Sequence, residues 1–506
     1  MKFKTFILLC LLLPIKLTAQ PGEEQLEKLA DEVFPAAIKE FRAFLRLPNN
    51  GQIPSHVEEN MLWCEDAFKQ RGFDTERLPT AGAPLLLAGL HQDDQKPTLL
   101  FYMHIDGQPV DPSRWDQANP YIPVLKEKSS QGWDSISWKN LESHYDPEWR
   151  IFARSASDAK GPVIMFLAAM DVMNNQTWQP DYNVKVIMDF QEEMSSPHLP
   201  AAVSRNQEKL KADYLLILDG PKHISNQPTI VFGARGITTV QIKVFGPKKP
   251  LHSGHYGNYA PNPAMRLSQL LASMKDHTGT VAIPGFYDDV SLDEETKMML
   301  SRVPDDEKAI QRSLGIGGPD GLAPSLQQAL QYPSLNIRGL SSGWVGKEVR
   351  TIIPSQAVAE IDIRLVKESD GSRLAGLVKQ HIEKQDYYVL DERAPSDEER
   401  NTYPRIASFK SHNAYAAFRT PMDSKIGVML EKALERAFTI DPVKIRTMGG
   451  SVPIAPFIKT LNIPAVVLPM ANADNNQHSP NENLRLGNFK SGIISFLSVF
   501  TAPAPE

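Results

Sequence analysis

Apolar segments with two different periods alternate along the chain and predict an α/β fold. Residues 23–45 and 57–70 carry apolar side chains at helical spacing, and the short apolar runs 85–90 and 98–103 are typical of buried strands. Further segments of both kinds follow at 163–173, 184–190 and 214–218. This alternation predicts a largely parallel sheet covered by helices. Residues 111–150, rich in Trp, Pro and charge, are interpreted as a long surface excursion.

The pattern changes after Gly233. Residues 237–245 alternate in polarity like a half-buried strand. A helix at 264–273, strands at 334–340 and 356–366, and a helix at 372–383 follow. Strand, helix, two strands, helix and strand is the order of a ferredoxin-like α+β sandwich. Residues 291–331 are polar and irregular and receive no assignment. The first pattern resumes with a helix at 425–438 and a strand at 465–470.

These segments predict one main domain interrupted by another. We assign residues 1–19 to a signal peptide, 20–235 and 419–506 to the two parts of the main domain, and 236–418 to the inserted domain.

The N-terminus has the pattern of an export signal. Lys2 and Lys4 precede the apolar stretch 6–13, and the small residue Ala19 offers a cleavage point. The stretch is too short to span a membrane, and no other segment is long and apolar enough to do so. We therefore predict a periplasmic or extracellular protein, free of the membrane after cleavage, that begins near Gln20.

Composition excludes several classes of function. The formal net charge of -6 and the lack of basic runs argue against a nucleic-acid partner. Of the 2 cysteines, Cys10 lies in the predicted signal and Cys64 in a predicted helix. Thiol-based metal sites and cysteine nucleophiles therefore lack enough partners, and Cys64 is predicted to be a core residue.

Metal-ligand residue types follow three of the predicted strands. His104 ends the second strand, Glu193 follows the strand 184–190, and Asp219 follows the strand 214–218. Ligands of parallel α/β sheets bind beyond the carboxyl ends of strands, so these side chains are expected to converge. Asp106 lies two residues after His104, where a carboxylate can orient the imidazole.

Two further candidates complete a ligand set. Asp158 precedes a predicted helix, where an Asp is ordinarily an N-cap, and His478 lies in a loop, where a His is ordinarily solvated. Two imidazoles and three carboxylates suit Zn²⁺, with Mn²⁺ or Co²⁺ as alternatives. Five ligands exceed one tetrahedral site and fit two metals about 3.5–4 Å apart, with a shared carboxylate and a bridging water.

Catalytic groups can be named around these metals. Glu192 adjoins a ligand, where a general base must lie to take a proton from the water. His252 of the inserted domain is a candidate to stabilise the oxyanion. The Gly-rich turn 446–453, with Gly450 and Ser451, offers backbone N–H groups to a carboxylate or oxyanion. Together these groups describe hydrolysis of an amide bond.

At these residues the chain resembles the co-catalytic zinc hydrolases that include carnosinase-type dipeptidases, aminoacylases, glutamate carboxypeptidases and succinyl-diaminopimelate desuccinylase. The resemblance covers nearly the whole mature chain. It is carried by seven motifs in order: His104-Ile-Asp-Gly-Gln-Pro, Ser157-Asp-Ala-Lys-Gly-Pro, Gln191-Glu-Glu, Leu218-Asp-Gly, Leu251-His-Ser-Gly, Gly449-Gly-Ser-Val-Pro and His478-Ser-Pro-Asn-Glu.

The resemblance implies a zinc-peptidase catalytic domain and an inserted lid domain that forms a homodimer. It implies that Asp158 bridges two Zn²⁺ ions, that Glu192 is the base, and that Asp106 positions His104. His252 would reach the active site of the partner subunit. Arg364 would hold a carboxylate of a small peptide substrate.

Three alternatives stay open at this point. An N-acyl amino acid deacylase would use the same site on a different substrate. A non-catalytic binding protein would keep the fold without the reaction. A serine hydrolase is suggested by the pattern Gly339-Leu-Ser-Ser-Gly343, although a nucleophile elbow needs a helix after the turn and the sequence predicts another strand there.

Overall fold

A computed structural model of the chain describes residues 20–450 and 454–505. The strands are β1 (Asp74–Leu78), β2 (Leu85–Leu90), β3 (Thr98–His104), β4 (Val124–Ser129), β5 (Gly132–Ser135), β6 (Arg150–Phe152), β7 (Asn183–Asp189), β8 (Tyr214–Ile217), β9 (Thr229–Val231), β10 (Gly233–Ala234), β11 (Gly236–Phe245), β12 (Leu251–His252), β13 (Ser334–Ser341), β14 (Ile352–Ile353), β15 (Gln356–Leu365), β16 (Tyr388–Asp391), β17 (Ile406–Tyr415), β18 (Phe418–Arg419), β19 (Val443–Ile445), β20 (Ala465–Val467) and β21 (Asn483–Arg485).

The α-helices are α1 (Glu23–Leu45), α2 (Pro54–Lys69), α3 (Lys160–Asn175), α4 (Leu199–Arg205), α5 (Gln207–Leu210), α6 (Ser253–Tyr256), α7 (Pro263–Ala272), α8 (Glu294–Leu300), α9 (Glu307–Leu314), α10 (Leu326–Ala329), α11 (Gly371–Lys384), α12 (Asp397–Thr402), α13 (Lys425–Phe438), α14 (Ala455–Leu461) and α15 (Leu486–Phe500).

An eight-stranded sheet forms the centre of the larger unit, in the order β1-β2-β7-β3-β8-β20-β9-β19. Its middle strands β7, β3, β8 and β20 run parallel, whereas β1 and β2 pair antiparallel at one edge. Helices α1, α3, α13 and α15 pack together in the largest hydrophobic cluster, while α4 and α14 pack in a separate cluster with the sheet. Because both faces are covered, the central strands are buried, as their continuous apolar runs predict.

A five-stranded sheet lies within the segment predicted to be inserted, in the order β13-β15-β11-β17-β16. Strands β13, β15, β11 and β17 pair antiparallel, and helices α7 and α11 pack on the sheet. The strand and helix order is the ferredoxin-like one that the sequence predicts, with β16 added parallel at one edge. The prediction of a mostly parallel α/β domain with an α+β insertion is confirmed. The domain boundaries at 235/236 and 418/419 stay predictions.

The interpretation of residues 111–150 as a surface excursion is wrong in part. Strands β4 and β5 join β6 and β21 in a four-stranded sheet, and Trp115, Leu125 and Trp149 are buried. The sequence concealed this because charged residues dominate β4, where Lys126, Glu127 and Lys128 follow Leu125 directly. Lys126 is itself buried, with its ammonium group 4.5 Å from the centre of the Phe152 ring.

Two smaller predictions are resolved by the fold. Cys64 is a buried free cysteine in α2, as predicted, and burial raises the pKa of its thiol far above the ordinary value. Ser341 ends β13, and the next regular elements are a 3-10 turn at Gly346–Glu348 and strand β14. The strand, sharp turn and helix of a nucleophile elbow are therefore missing at the described residues 334–353, and the serine-hydrolase alternative is rejected.

Candidate active site

The carboxyl end of β3 brings His104 and Asp106 to the edge of the eight-stranded sheet. Both side chains are buried. His104 Nε2 lies 2.9 Å from Asp158 Oδ1 and 3.8 Å from Asp219 Oδ1, while His104 Nδ1 lies 3.7 Å from Asp106 Oδ1. Burial alone would lower the pKa of His104, but the three surrounding carboxylates raise it well above its ordinary value.

Asp106 also organises the turn that follows β7. Its two carboxylate oxygens accept hydrogen bonds from the backbone N–H groups of Glu192 and Glu193, at 3.0 and 3.1 Å. These bonds tie the end of β3 to the short 3-10 turn Glu192–Met194. Asp106 thus orients the two glutamates and faces the imidazole of His104 at the same time.

Asp158 is held in place by a residue far away in sequence. Its backbone N–H donates to Glu482 Oε1 at 3.0 Å, and Ser157 donates to the same oxygen from both its N–H and its hydroxyl group. Glu482 Oε2 accepts from Arg154 Nη1 and from the N–H of Ser155. The N-cap of α3 is Ala159, without a side-chain cap, so the capping interpretation of Asp158 is wrong. Its carboxylate instead faces the histidines.

His478 closes the cluster from the loop after β20. Its Nε2 lies 3.1 Å from Asp158 Oδ2 and 3.1 Å from Glu193 Oε2. Hydrogen bonds with these two carboxylates raise the pKa of His478 to about 10. Donor atoms of His104, Asp158 and Glu193 all lie within 4.8 Å of one another. The five predicted ligands are therefore brought to one place.

Glu192 lies beside this cluster in an environment that disfavours its charge. Burial, followed by the charges of Asp219, Glu193 and Asp158, raises the pKa of its carboxyl group well above the ordinary value, although His104 opposes the shift. Its carboxyl group thus lies next to the predicted ligands, where a general base for a water held there must be. A cavity of about 350 Å³, lined by Asp106, Gln108 and Glu193 among others, opens next to it.

The donor set fits divalent metal ions. Asp158 Oδ2 is buried without a well-directed hydrogen bond, although His478 Nε2 is near. Four carboxylates, of Asp158, Glu192, Glu193 and Asp219, crowd two imidazoles, and buried like charges are costly unless a cation compensates them. Nitrogen and oxygen donors of this kind suit Zn²⁺, Mn²⁺ and Co²⁺.

Other predicted residues lie apart from the cluster. His252 is exposed and pairs with Ile352 in the short β12–β14 ladder; its Nδ1 accepts from the N–H of Gly254, and its ring lies 4.6 Å from that of His255. Arg364 is on β15, with Nε 3.4 Å from Asp362 Oδ2. Gly450 is exposed at the end of the Gly-rich turn. Ser451 lies outside the described residues.

The sequence interpretation missed two residues of the site. Glu482 is fully buried, and Gln108 donates to Glu193 Oε2 at 2.7 Å. Both lie in motifs from which other residues were predicted to belong to the site: His104-Ile-Asp-Gly-Gln-Pro and His478-Ser-Pro-Asn-Glu. A glutamate and a glutamine in polar loops carry no signal of burial, so only their place within those motifs pointed to them.

Comparison with known proteins identifies the family. The model of peptidase family M20/M25/M40 matches residues 100–502. The chain belongs to this family. This M20 chain is 26% identical over 500 residues to a Cys-Gly metallodipeptidase of Candida albicans, an alignment that covers 94% of this chain and 96% of the relative. It is 26% identical over 445 residues to the Beta-Ala-His dipeptidase of Rattus norvegicus, covering 86% and 82%.

The solved structure of an M20 family metallo-carboxypeptidase from Sulfolobus solfataricus has a TM-score of 0.74 with this M20 chain, at 26% identity. The alignment covers 92% of this chain and 99% of that structure. The predicted resemblance to carnosinase-type zinc hydrolases is thereby confirmed at the level of family. The protein is a metallopeptidase, which excludes the non-catalytic alternative.

The prediction of export is wrong by the same comparison. The relatives from Candida albicans, Schizosaccharomyces pombe and Saccharomyces cerevisiae are named Cys-Gly metallodipeptidases, and their similarity argues against an exported protein. Residues 1–19, on which the predicted signal peptide rests, lie outside the described residues. Two lysines before eight apolar residues form a short pattern that does not by itself specify export. Among the described residues, no helix has the length and apolar character of a membrane span.

Proposed function

We propose that this M20 peptidase is a dinuclear-metal dipeptidase, with Glu192 as its general base. The observation that carries the proposal is the convergence of His104, Asp158 and Glu193 within 4.8 Å, with Glu192 beside them. The relatives named for Cys-Gly and Beta-Ala-His hydrolysis align over most of the chain and support a dipeptide substrate. The family includes dinuclear metal-binding peptidases.

The residues divide into those that hold the metals and those that act on the substrate. His104, Asp158, Glu193, Asp219 and His478 are the proposed ligands of two Zn²⁺ ions, with Mn²⁺ or Co²⁺ as alternatives, and Asp158 lies between the two histidines as a bridging ligand must. When bound, the two ions polarise the scissile carbonyl and lower the pKa of the attacking water.

The proton moves through Glu192 in this proposal. Its carboxylate takes a proton from the attacking water and later donates that proton to the nitrogen of the leaving amine. Asp106 keeps Glu192 in position through the backbone hydrogen bond described above. Arg364 and the Gly-rich turn, including Gly450 and Ser451, are proposed to hold the substrate carboxylate.

We further propose a homodimer through the five-stranded sheet. Strand β13 is an outer strand, and an outer strand offers unpaired backbone groups to a second copy. Apolar side chains on and after this strand are exposed: Ile337, Leu340, Trp344, Val345 and Val349. Such a patch is typical of a protein interface. The side-chain contacts of His252 among the described residues are with Gly254 and His255, and in this proposal its imidazole completes the site of the partner subunit.

Metal analysis combined with hydrolysis tests the proposal. About two metals per chain are expected, together with dipeptide cleavage that a chelator abolishes and Zn²⁺ restores. A panel of N-acyl amino acids is assayed in parallel. Cleavage of that panel alone would replace the dipeptidase by a deacylase with the same site. A metal-loaded chain that hydrolyses neither panel would overturn the proposal.

A further inference from the structure

The segment that the sequence left unassigned encloses a cavity of about 250 Å³. Helices α9 and α10 form one wall, and residues 275–287 together with the start of β13 form another. The lining is mainly apolar and includes Val281, Ile310, Leu314, Leu326, Leu330 and Leu335. Sites for whole drug-sized ligands are typically about 300–1,000 Å³, so this cavity suits one apolar part of a small ligand.

The charged side chains of the lining differ in how they are compensated. Lys275 Nζ lies 3.4 Å from Asp320 Oδ2, and Glu307 Oε1 accepts from the N–H of Leu326 at 2.8 Å. These three groups therefore have partners within the wall.

Arg235 is compensated less completely. It is buried, its Nη2 donates to the carbonyl oxygen of Tyr332 at 2.6 Å, and its Nε is buried without an acceptor. No carboxylate of the described residues forms an ion pair with it. Burial, followed by the nearby charge of Arg364, lowers the pKa of Arg235 to about 10, although the charge of Asp362 opposes the shift. A buried cation in this position favours an anionic ligand.

The cavity wall is continuous with the Gly-rich turn 446–450. Gln331 Oε1 accepts hydrogen bonds from Arg446 and Thr447, and the N–H of Arg235 donates to the carbonyl oxygen of Met448 at 3.3 Å. A β-carbon on Gly449 would lie 3.4 Å from Leu330 Cδ2. The apolar cavity, the buried cation Arg235 and the turn proposed to hold the substrate carboxylate are therefore neighbours.

We propose that this cavity is a specificity site for the C-terminal residue of the dipeptide, taking an apolar side chain while Arg235 and Arg364 face the carboxylate. This inference rests on the proposed dipeptidase function. The chemistry recognised is an α-carboxylate that carries an apolar side chain. This preference differs from the dipeptides in the names of the relatives, Cys-Gly and Beta-Ala-His, which end in glycine and histidine.

The test compares Ala-Gly, Ala-Ala, Ala-Leu and Ala-Phe as substrates of the metal-loaded full chain. The wild type is expected to have a kcat/KM for Ala-Leu at least about tenfold above that for Ala-Gly, because filling an apolar pocket is worth this much. Ala329→Phe places a ring in the cavity and is expected to remove that preference while kcat/KM for Ala-Gly stays within about twofold. Ala394→Phe, on an exposed loop between β16 and α12 and away from the cavity, is the matched control.

A second variant tests the cation. Arg235→Lys keeps the charge and avoids an empty buried site, but it loses the planar fork that recognises a carboxylate. KM for Ala-Leu is expected to rise about tenfold, while KM for the amide Ala-Leu-NH₂, which has no carboxylate, is unchanged. The specificity site would be refuted if Arg235→Lys changed KM equally for Ala-Leu and Ala-Leu-NH₂. It would also be refuted if Ala329→Phe had the wild-type kcat/KM for all four dipeptides.

Free leucine separates a substrate site from a distant regulatory one. Leucine is expected to compete with Ala-Leu, and Ala329→Phe is expected to weaken that inhibition about tenfold. Non-competitive inhibition would mean that the cavity is a separate site and would overturn the proposal. If the metal-loaded chain cleaves no dipeptide, the proposed function fails first. Calorimetry with leucine then tests the cavity alone: binding lost in Ala329→Phe supports it, and equal or absent binding in both chains refutes it.

Discussion

At the carboxyl edge of the eight-stranded sheet, charged side chains are buried and bonded to one another, whereas the outer strand of the five-stranded sheet exposes apolar side chains. Glu482 is fully buried among five hydrogen-bond donors. Val345 and Leu340, by contrast, are 85% and 60% exposed. In the first region, hydrogen bonds within one chain hold the side chains of the proposed active site in position. The second has the composition of a surface that a second chain covers, and that contrast supports the proposed division of the active site between two subunits.

The largest effect is expected from Glu192→Gln, which tests the self-contained region. The amide cannot take a proton from water, so kcat should fall by about 10²–10⁴. Metal content should be unchanged, because Glu192 is not among the proposed ligands. The measurement is kcat with elemental analysis, and Glu208→Gln, at an exposed position, is the control. A kcat near that of the wild type would exclude Glu192 as the base.

His252→Ala tests the other region. Loss of one oxyanion donor typically lowers kcat by about 10²–10³, and metal content should stay the same. The adjacent exposed His255→Ala is the control.

Mixing the inactive Glu192→Gln and His252→Ala chains then asks whether the site is shared. Random exchange of subunits in a two-fold dimer should restore about a quarter of the wild-type activity, since half of the dimers are mixed and each has one intact site. If mixing restores nothing, His252 does not act across subunits.

Glu482→Gln is expected to weaken metal binding by about 10–100-fold, the usual effect of removing a group that orients a ligand. The amide keeps one oxygen but loses the negative charge that Arg154 faces, so the loop carrying Asp158 is held less firmly. Calorimetric titration of the metal-free protein with Zn²⁺ measures the effect. Unchanged affinity in a folded variant would show that Asp158 needs no such support.

The smallest effect concerns a contact between the loop after β8 and the segment 303–331. His223, in the loop after β8, lies with Nε2 2.8 Å from Asp305 Oδ1, and Gln327 donates to the other oxygen. Asp305→Asn should destabilise the segment 303–331 by about 1.5–3 kcal/mol, the usual contribution of a hydrogen bond to a charged group.

The effect of Asp305→Asn should depend on pH. The hydrogen bond from His223 lowers the pKa of Asp305, so the stabilisation is complete above the unfolded pKa of about 4 and is lost as pH falls through the folded pKa. Hydrogen exchange of residues 303–331 at pH 7 and pH 3 measures it. Asp94→Asn, 90% exposed, is the control. Equal exchange in variant and wild type at pH 7 would show that this contact contributes nothing.

The strand ends were predictable from sequence because their signal is local. An apolar run indicates a buried strand, and the polar residue that follows it, His104 or Glu193, marks where the strand ends. Parallel packing then brings these ends together. The ferredoxin-like order of the insertion was predictable for the same reason, since each strand and helix carries its own period.

What the sequence concealed depends on contacts between distant segments. Glu482 can be buried because Arg154 and four other donors surround it. These donors are far away in sequence, so the residues next to Glu482 do not indicate its burial. The cavity of the 303–335 segment is formed by short helices whose apolar faces have too few residues to show a period. Whether Asp158 caps a helix or faces a histidine is likewise decided by tertiary contacts.

The bonding of Glu482 has a consequence for the order in which the protein becomes functional during synthesis. The loop of Asp158 receives its support from a residue 324 positions further along the chain. His478, which faces the same carboxylate, is equally late. A ribosome-bound chain that already contains His104, Glu193 and the whole five-stranded sheet therefore still lacks the groups that fix the metal cluster. With the proposed ligand set, we therefore expect the chain to gain peptidase activity only after residues 478–482 have been made, and chains that end before them to be inactive.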